Sequence, residues 1–323
     1  MRAIVYEKYG TPDVLKIRDI KKPMPKPNEV LLKIVTTTVT SADCRVRSLN
    51  VPFGFGFIMR LVFGFSKPRQ AILGTELAGV VESVGKDVRA FKVGDEVFAF
   101  NDAAMGCYVE YKCMPENSAL ALKPCNLSLS EAATLSFGGT TALEFLRKAK
   151  LKRGDKILIN GASGSVGTAA VQLAKHFGAE VTAVCSTVNI ELLKSLKADH
   201  IIDYTKIDFT QNGLTYDVIM DNAGTAPFAR CKLSLKRGGR LLIVIASLPD
   251  MLKIPWINIM SGKKVVAGTA TACAKDLQLI ASLVEGGEFK PVIDRRYPFE
   301  QVVAAHRYVD EGRKKGNVIL TVT

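Results

Sequence analysis

Histidine is scarce in this sequence, and its cysteines are not arranged to hold zinc. The 323 residues include three histidines and seven cysteines, with no Cys-x-x-Cys pair. No combination of Cys, His and Glu has the spacing of a zinc site, so we expect no bound metal. The odd number of cysteines argues against a disulfide framework, and residues 1–6 look like a first strand rather than a targeting segment. We therefore expect a cytoplasmic protein.

Acidic residues are also in short supply. The sequence contains 31 Asp and Glu against 44 Lys and Arg, which gives a formal net charge of +13. The basic residues are scattered, the densest cluster being Arg313-Lys314-Lys315, and no basic helix is interleaved with aromatic residues. A solvated basic surface explains this pattern, and a role in binding a polyanion is the alternative. We expect no specific recognition of nucleic acid.

Two further absences narrow the class of protein. The apolar stretch at residues 51–65 is too short to cross a bilayer and contains Arg60, so no transmembrane segment is predicted. It suits an apolar loop or short helix packed between domains, a mobile flap over a hydrophobic substrate, or a contact with a membrane surface. No Ser occupies a Gly-x-Ser-x-Gly elbow, which excludes a serine hydrolase of that type.

The sequence does contain a turn of the kind that binds dinucleotides. An apolar run at residues 156–159 leads into Asn160-Gly161-Ala162-Ser163-Gly164-Ser165-Val166-Gly167, and a helix-like run follows. Ala162, Gly164 and Gly167 occupy the three glycine positions of the dinucleotide-binding motif. Gly164 would let the backbone approach a pyrophosphate, and Gly167 would let the helix pack closely on the strand.

The rhythm of the chain predicts two domains of different architecture. Residues 1–120 contain closely spaced short strands separated by turn signals, which predicts an antiparallel, barrel-like domain. Strands then alternate with helices as far as residue 245, which predicts a parallel sheet wound on both faces. Elements after residue 270 do not extend that sheet and are candidates to complete the first domain. The predicted fold class is α/β.

The end of the second strand of the wound sheet indicates which cofactor binds. An NAD site usually places Asp or Glu there, about 20 residues after the glycines. Here the sequence is Cys185-Ser186-Thr187-Val188-Asn189, with no carboxylate to repel a 2′-phosphate. Ser186, Thr187 and Asn189 can donate hydrogen bonds to such a phosphate, which favours NADPH. Later strand ends offer contacts to the nicotinamide half, namely Asn222, Gly224, Ala246 and Ser247.

Five segments of the sequence carry a more specific signal. They read GTELAGVV at 74–81, VGDEVF at 93–98, GTTA at 139–142, ASGSVG at 162–167 and ADHIIDY at 198–204. As a set they resemble the medium-chain dehydrogenase/reductase superfamily, in particular its zinc-independent quinone oxidoreductases. The resemblance implies a Rossmann domain at residues 124–267. It is inserted in a GroES-like β-barrel domain formed by residues 1–123 and 268–323, with the active site in the cleft between them. It also implies a homodimer or homotetramer.

The resemblance further assigns roles to residues of this chain. Gly74-Thr75-Glu76 stands where zinc alcohol dehydrogenases carry Gly-His-Glu, and Thr40 stands at their cysteine ligand, which implies a zinc-free enzyme. Arg45 stands at the active-site Tyr of the quinone reductases. The residues that the resemblance places around the cofactor are Ser163, Gly164, Ser165, Val166 and Gly167 on the pyrophosphate, Ser186 and Tyr204 on the 2′-phosphate, Thr141 near the nicotinamide, and Asn317 closing the site.

These observations together predict an oxidoreductase that transfers a hydride from NADPH to a quinone or an α,β-unsaturated carbonyl. Thr40 or Arg45 is predicted to donate to the substrate oxygen, Asp43 to orient a neighbour, and solvent to supply the proton. Two alternatives come from other classes. One is an NADPH-binding sensor or structural protein with little turnover, and the other is a side role in binding nucleic acid.

Overall fold

The computed structural model describes residues 1–323 and divides the chain into two compact units. Unit 1 comprises residues 1–51, 56–140 and 272–323, and unit 2 comprises residues 52–55 and 141–271. The sequence-based domains differ from these units in residues 52–55, 124–140 and 268–271. The second of these ranges includes the beginning of a helix that continues into unit 2. No helix in the structure combines the length and the hydrophobicity needed to cross a membrane.

The chain contains fifteen strands and ten α-helices. The strands are β1 Arg2–Val5, β2 Lys16–Asp19, β3 Glu29–Val39, β4 Glu76–Val84, β5 Glu96–Phe100, β6 Tyr111–Pro115, β7 Leu120–Leu122, β8 Lys156–Asn160, β9 Glu180–Cys185, β10 His200–Asp203, β11 Tyr216–Asp221, β12 Leu235–Ile243, β13 Lys264–Ala267, β14 Ile293–Pro298 and β15 Asn317–Thr321. The helices are α1 Ser41–Ser48, α2 Gly56–Phe63, α3 Leu129–Ala132, α4 Ser136–Lys148, α5 Ser165–His176, α6 Ile190–Ser195, α7 Phe228–Cys231, α8 Leu248–Met260, α9 Ala274–Glu285 and α10 Val302–Asp310.

Unit 1 is built on a seven-stranded sheet in the order β14-β15-β3-β4-β5-β7, with β6 also paired to β3. The long strand β3 pairs antiparallel with β6 along residues 29–33 and with β15 along residues 36–39. Strands β14 and β15 come from the C-terminal part of the chain. The late elements therefore do complete the N-terminal domain, as the sequence predicts.

Strand β3 lies at the centre of the core of unit 1. Val30, Leu32 and Ile34 are fully buried, and Leu31 and residues 36–39 are buried as well, so both faces of much of the strand are covered. Residues from both ends of the chain join Val30, Leu32 and Ile34 in one apolar cluster, including Phe299 from the turn before α10 and Leu320 from β15. Because the two chain ends share one core, neither end of unit 1 can be packed without the other.

Unit 2 is a six-stranded parallel sheet in the order β10-β9-β8-β11-β12-β13. Numbered within the unit, this is the order 3-2-1-4-5-6, which is the arrangement of dinucleotide-binding sheets. The order reverses between β8 and β11, and ligands bind such sheets outside the carboxyl ends of the strands at that point. Asn160 and Asp221 end these two strands side by side, joined by a 2.9 Å hydrogen bond from Asn160 Nδ2 to Asp221 Oδ1.

Candidate functional site

The turn after β8 has the geometry of a phosphate cradle. Gly161 adopts a left-handed conformation with φ +70°, which reverses the chain directly after the strand. A Cβ on Gly167 would lie 2.2 Å from the Gly161 carbonyl oxygen, so only glycine allows α5 to approach β8 this closely. Ala162 is fully buried and has no positive φ, which explains why alanine is tolerated at the first motif position.

Gly164 marks the open side of the same turn. It is the N-cap of α5, and no side chain caps this helix end. A Cβ at Gly164 would meet only the Gly161 carbonyl oxygen, at 3.7 Å, so the backbone here borders free space. The first N–H groups of a helix have no intrahelical acceptor and carry the positive end of its dipole. Residues 163–167 thus offer a place for an anion at the N-terminus of a twelve-residue helix.

The end of β9 joins this cradle through Asn189. Its Nδ2 donates to Ser163 Oγ at 3.1 Å and to Ser186 Oγ at 3.3 Å, while its Oδ1 is buried without a partner. Ser163, predicted to lie on the pyrophosphate, and Ser186, predicted to lie on the 2′-phosphate, are thereby brought together. Thr187 lies elsewhere, because its hydroxyl donates to Asp203. Tyr204 is exposed beside this loop, with its N–H donated to the Cys185 carbonyl at 3.0 Å.

Asp221 shapes the loop at the end of β11. Its carboxylate accepts hydrogen bonds from the N–H groups of Ala223, Gly224 and Ala226 at 2.8–3.1 Å, in addition to the one from Asn160. The neighbouring Asn222 is the opposite case, since both polar atoms of its amide are buried and unpartnered within the protein. An amide held in place with no partner is unusual, because burying a polar group without a hydrogen bond is unfavourable.

Three other predicted cofactor residues have less specific surroundings. Ser247 caps α8, with its hydroxyl donating to Asp250 Oδ2 at 2.6 Å and accepting from Asp250 N. Ala246, just before it, packs against the apolar core of unit 2. Thr141 is buried in α4. Ala246 and Ser247 lie at the end of a strand of unit 2 and Thr141 lies in a helix, and none of the three has a buried polar side-chain atom without a partner.

The residues present in unit 2 fit a nicotinamide dinucleotide. The open backbone at Gly164 and the uncapped end of α5 suit a pyrophosphate, and the serine and asparagine groups after β9 suit a ribose or its phosphate. The unpartnered Asn222 amide lies at the carboxyl end of β11, on the side of the switch point where the other half of such a cofactor extends. Of the six buried side-chain atoms without a partner, three, on Asn189 and Asn222, lie where the motif predicts a ligand, and the others are on Thr75, Ser136 and Tyr216.

The predicted catalytic residues of unit 1 form a closed hydrogen-bonded corner at the start of α1. Thr40 N and Thr40 Oγ1 donate to Asp43 Oδ2 at 2.8 and 2.6 Å, and Asp43 N donates back to Thr40 Oγ1. Gly74 N donates to the other carboxylate oxygen at 2.9 Å. Burial raises the pKa of Asp43 to about 6, while the hydrogen bonds from Thr40 and Gly74 oppose that rise. The Thr40 hydroxyl proton is therefore already donated within the protein.

A buried network that the sequence does not reveal supports this corner. Arg47 is almost completely buried and donates to Asp310 Oδ2 at 2.6 Å and to His306 Nδ1 at 3.0 Å. Because arginine only donates, Nδ1 must accept, so the His306 proton lies on Nε2 and is donated to the Tyr108 hydroxyl at 3.2 Å. The Tyr108 hydroxyl also helps to lower the pKa of Asp43. Burial, assisted by Arg47, holds the pKa of His306 well below its usual value.

Glu76 is a second buried carboxyl group in unit 1. Thr38 Oγ1 donates to its Oε1 at 2.5 Å, and Phe137 N, in the first turn of α4, donates to its Oε2 at 2.6 Å. Burial raises the pKa of Glu76 to about 7, and these two hydrogen bonds oppose the rise. The hydroxyls of Thr75 and Ser136, each next in sequence to one of these groups, are buried without partners.

Arg45 differs from Thr40 and Asp43 because its polar head is not engaged. The side chain is half-buried on α1 and makes no hydrogen bond or ion pair, and burial lowers its pKa. Its donors remain available to an oxygen of a ligand. Asn317 is buried at the start of β15, and its Nδ2 donates to the Val292 carbonyl at 3.1 Å. No group of three or more His, Cys, Asp or Glu side chains is placed to hold a metal ion.

The strand order of unit 2 and its cradle define a dinucleotide-binding protein, to which unit 1 adds a β-rich architecture. Comparison with known proteins identifies its family. Residues 26–125 match the family described as alcohol dehydrogenase GroES-like domain, and residues 196–320 match the family described as zinc-binding dehydrogenase.

Curated relatives and solved structures extend the match to the whole chain. A 2-methylene-furan-3-one reductase of Solanum lycopersicum is 35% identical, with 99% of this chain and 79% of that protein covered. An NADPH-dependent alkenal/one oxidoreductase of Arabidopsis thaliana is 32% identical with the same coverage. The structure of a quinone oxidoreductase from Coxiella burnetii superposes with a TM-score of 0.89 at 27% identity, covering 100% of this chain and 99% of that one.

The chain belongs to the medium-chain dehydrogenase/reductase superfamily, in its quinone oxidoreductase branch. The predicted fold class, a Rossmann sheet combined with a GroES-like domain, is confirmed. The same comparisons identify an oxidoreductase that uses a nicotinamide cofactor.

Proposed function

We propose that this protein is an NADPH-dependent, zinc-free oxidoreductase that reduces a quinone or an α,β-unsaturated carbonyl compound. The observation that carries the cofactor choice is the cluster at the end of β9. Asn189 holds Ser163 and Ser186 together there, and the loop 185–189 contains no carboxylate. A 2′-phosphate would gain hydroxyl donors and meet no carboxylate of the loop itself, while the carboxylate of the neighbouring Asp203 is bonded to Thr187 and Thr205. The names of two relatives, one an alkenal/one oxidoreductase and one a quinone oxidoreductase, support the acceptor class.

Each part of the candidate site has one task in this proposal. The backbone at residues 163–167 binds the pyrophosphate, Ser186 and Tyr204 flank the adenosine 2′-phosphate, and Asn222 contacts the nicotinamide half. When bound, the reduced nicotinamide supplies a hydride. The remaining predicted contacts are Thr141, Thr187, Ala246, Ser247 and Asn317, of which Thr187 and Ser247 already donate their hydroxyl protons to Asp203 and Asp250.

Of the three residues of unit 1 predicted to act on the acceptor, Arg45 contacts it, and Thr40 and Asp43 act only by positioning α1. Reduction of an enone or quinone adds a hydride to one atom and leaves negative charge on the carbonyl oxygen until a proton arrives from solvent. The Arg45 guanidinium has free donors and can stabilise that charge. Asp43 and Thr40 position α1, because their hydrogen bonds are all made to each other and to Gly74. No step of this scheme requires a metal ion.

Direct titration of the purified protein with NADPH and NADH tests the cofactor choice. We expect NADPH to bind at least about tenfold more tightly, and the Ser186→Asp variant to lose that preference by repelling the 2′-phosphate. The matched control is Ser195→Asp, which adds the same charge at the exposed end of α6. Equal affinities for the two cofactors in the unmodified protein would refute the proposal for NADPH.

Steady-state reduction of 1,2-naphthoquinone and of a simple enone tests the reaction. We expect Arg45→Met to lower kcat/KM by about 10- to 100-fold with little change in cofactor affinity. Arg18→Met, at an exposed arginine on β2, is the control. Saturable NADPH binding without oxidation by any acceptor would favour the alternative of a sensor with little turnover. Metal analysis that finds one zinc per chain would refute the zinc-free proposal.

A further inference from the structure

Helix α2 presents its apolar residues outward. All of its residues except Gly56 and Arg60 are apolar, and only Met59 and Phe63 pack against the core of unit 1. The others form an exposed surface that we call the α2 patch, consisting of Phe57, Ile58, Leu61, Val62 and the following Phe65, which are 40–64% exposed. Phe57 and Phe65 contact each other edge to face, with ring centroids 6.3 Å apart. The patch is therefore a continuous apolar face and not a set of isolated side chains.

The charged residues of the chain segment that carries α2 are all of one sign. Between Asp43 and Glu76 the sequence contains no acidic residue and five basic ones, Arg45, Arg47, Arg60, Lys67 and Arg69. Arg47 is buried and paired with Asp310, whereas Arg60, Lys67 and Arg69 are exposed and form no ion pair.

Two of these cations, Arg60 and Arg69, lie beside the patch near the point where Tyr9 contacts the end of α2. The Tyr9 hydroxyl donates to the Gly64 carbonyl at 2.9 Å, at the C-terminal end of α2. Arg60 Nη1 donates to the Phe65 carbonyl and Arg69 N donates to the Phe63 carbonyl, each at 2.7 Å, so both arginines lie at this end of the patch. The helix thus carries an exposed apolar face with cations along its flank and end, which is the distribution found in helices that lie in a membrane interface.

We propose that the α2 patch docks the protein on the surface of an anionic phospholipid bilayer. Phe57, Leu61 and Phe65 would enter the boundary between headgroups and acyl chains, while Arg60, Lys67 and Arg69 would contact lipid phosphates. The eight residues of α2 are too few to span the bilayer, so the contact is interfacial and reversible. The net charge of +13 would draw the whole protein to an anionic surface before the patch inserts.

Charge complementarity favours lipid over a second copy of this chain. A symmetric contact through the α2 patch would bring the same cations of two copies together, and residues 44–75 contain no carboxylate to neutralise them. An anionic bilayer supplies both of the missing components, an apolar layer for the phenylalanines and phosphates for the cations.

Co-sedimentation with phosphatidylcholine vesicles, with and without phosphatidylserine, tests the docking. We expect binding only when phosphatidylserine is present, and a marked loss at high salt. The Phe57→Ser/Leu61→Ser variant should lose binding. Leu252→Ser/Trp256→Ser, which removes two even more exposed apolar residues from α8, should retain it. Because both pairs are exposed, the melting temperature should change little in either variant.

A second pair of variants separates local charge from net charge. Lys67→Gln/Arg69→Gln should weaken binding roughly 30-fold, whereas Lys16→Gln/Arg18→Gln, which removes the same charge from exposed β2, should weaken it far less. Equal binding to neutral vesicles, or equal losses in both charge pairs, would overturn the proposal. A change in oligomeric state of the Phe57→Ser/Leu61→Ser variant with unchanged vesicle binding would identify a second copy as the occupant. None of these measurements depends on turnover, so they are independent of the proposed function.

Discussion

The sequence predicts site residues in two polar regions of this protein, the corner at Thr40 and Asp43 and the strand ends of unit 2. The two regions differ in whether their polar groups have hydrogen-bond partners within the protein. In the corner at Thr40 and Asp43, both carboxylate oxygens and the hydroxyl are engaged within unit 1. At the strand ends of unit 2, the amide of Asn222 and the Oδ1 of Asn189 are buried without partners, and α5 has no capping side chain. Because buried polar groups are normally satisfied, the unpartnered atoms of the second region support the proposal that it receives a ligand. The hydrogen bonds of the first region hold the start of α1 in place.

The largest effect that would test this contrast is the loss of the Asp43 carboxylate. Asp43→Ala leaves the N–H groups of Thr40 and Gly74 buried without acceptors and removes the carboxylate half of the capping box at the start of α1, which should lower the free energy of unfolding by about 4 kcal/mol. Denaturant unfolding measures it, and Asp13→Ala, at an exposed aspartate, should change little. Cofactor affinity of the folded variant should be unchanged. A stable Asp43→Ala protein with lost activity would instead make Asp43 catalytic.

The pH dependence of stability should be the next largest effect. Burial raises the pKa of Glu76 from 4.5 to about 7, so the folded state retains a proton that the unfolded state has lost over this range. The protonated Glu76 side chain contributes fully to the free energy of unfolding below pH 4.5, and this contribution is lost as the pH rises to about 7. The loss amounts to about 3 kcal/mol. The difference in unfolding free energy between the unmodified protein and Glu76→Gln, measured from pH 4.5 to 7, should show this trend. A constant difference would contradict it.

Gly164 offers a smaller and more local test of the ligand-binding region. A Cβ at this position meets nothing closer than 3.7 Å, so Gly164→Ala should leave the melting temperature unchanged. The added methyl group would occupy the space proposed for the pyrophosphate, and NADPH affinity should fall at least about tenfold. Gly56→Ala, where a Cβ also meets nothing, should alter neither property. Unchanged affinity in Gly164→Ala would place the phosphates elsewhere.

The smallest expected effect comes from comparing two asparagines at neighbouring strand ends. Asn222→Ala should weaken NADPH binding about fivefold without loss of stability, because this amide bonds nothing in the protein. Asn160→Ala should instead lower stability by about 1 kcal/mol, since Asn160 Nδ2 donates to Asp221 and to Thr225, each at 2.9 Å. Isothermal titration calorimetry measures the NADPH affinity of both variants, and thermal unfolding measures their stability. The reverse pattern would exchange the roles of the two residues.

Much of the fold and half of the candidate site could be predicted from the sequence, because those features depend on contiguous residues. A strand, a glycine-containing turn and a helix within residues 156–176 specify a phosphate cradle locally, and the absence of a carboxylate at residues 185–189 is read directly. The bridge made by Asn189 was only partly predictable, since the sequence shows its donors but not that they hold Ser163 and Ser186 together.

The assignment of Thr40 and Asp43 to catalysis shows the limit of sequence patterns. Their positions relative to the motif suggest the substrate loop, yet their bonding within the capping box depends on Gly74, and the support from Tyr108 depends on His306. His306 and Arg47 are 259 residues apart in sequence and 3.0 Å apart in space, so no local pattern could connect them. The cytoplasmic location and the oligomeric state stay predictions.

The class of protein, the order of its two architectures and the location of the predicted phosphate cradle are visible in the amino-acid sequence. These follow from hydrophobic periodicity, glycine geometry and missing charges, all of which are properties of neighbouring residues. Which buried polar groups have hydrogen-bond partners, and which residues of α2 are exposed, can be seen only in the folded chain. Those questions concern what surrounds each group, and residues distant in the chain supply the surroundings.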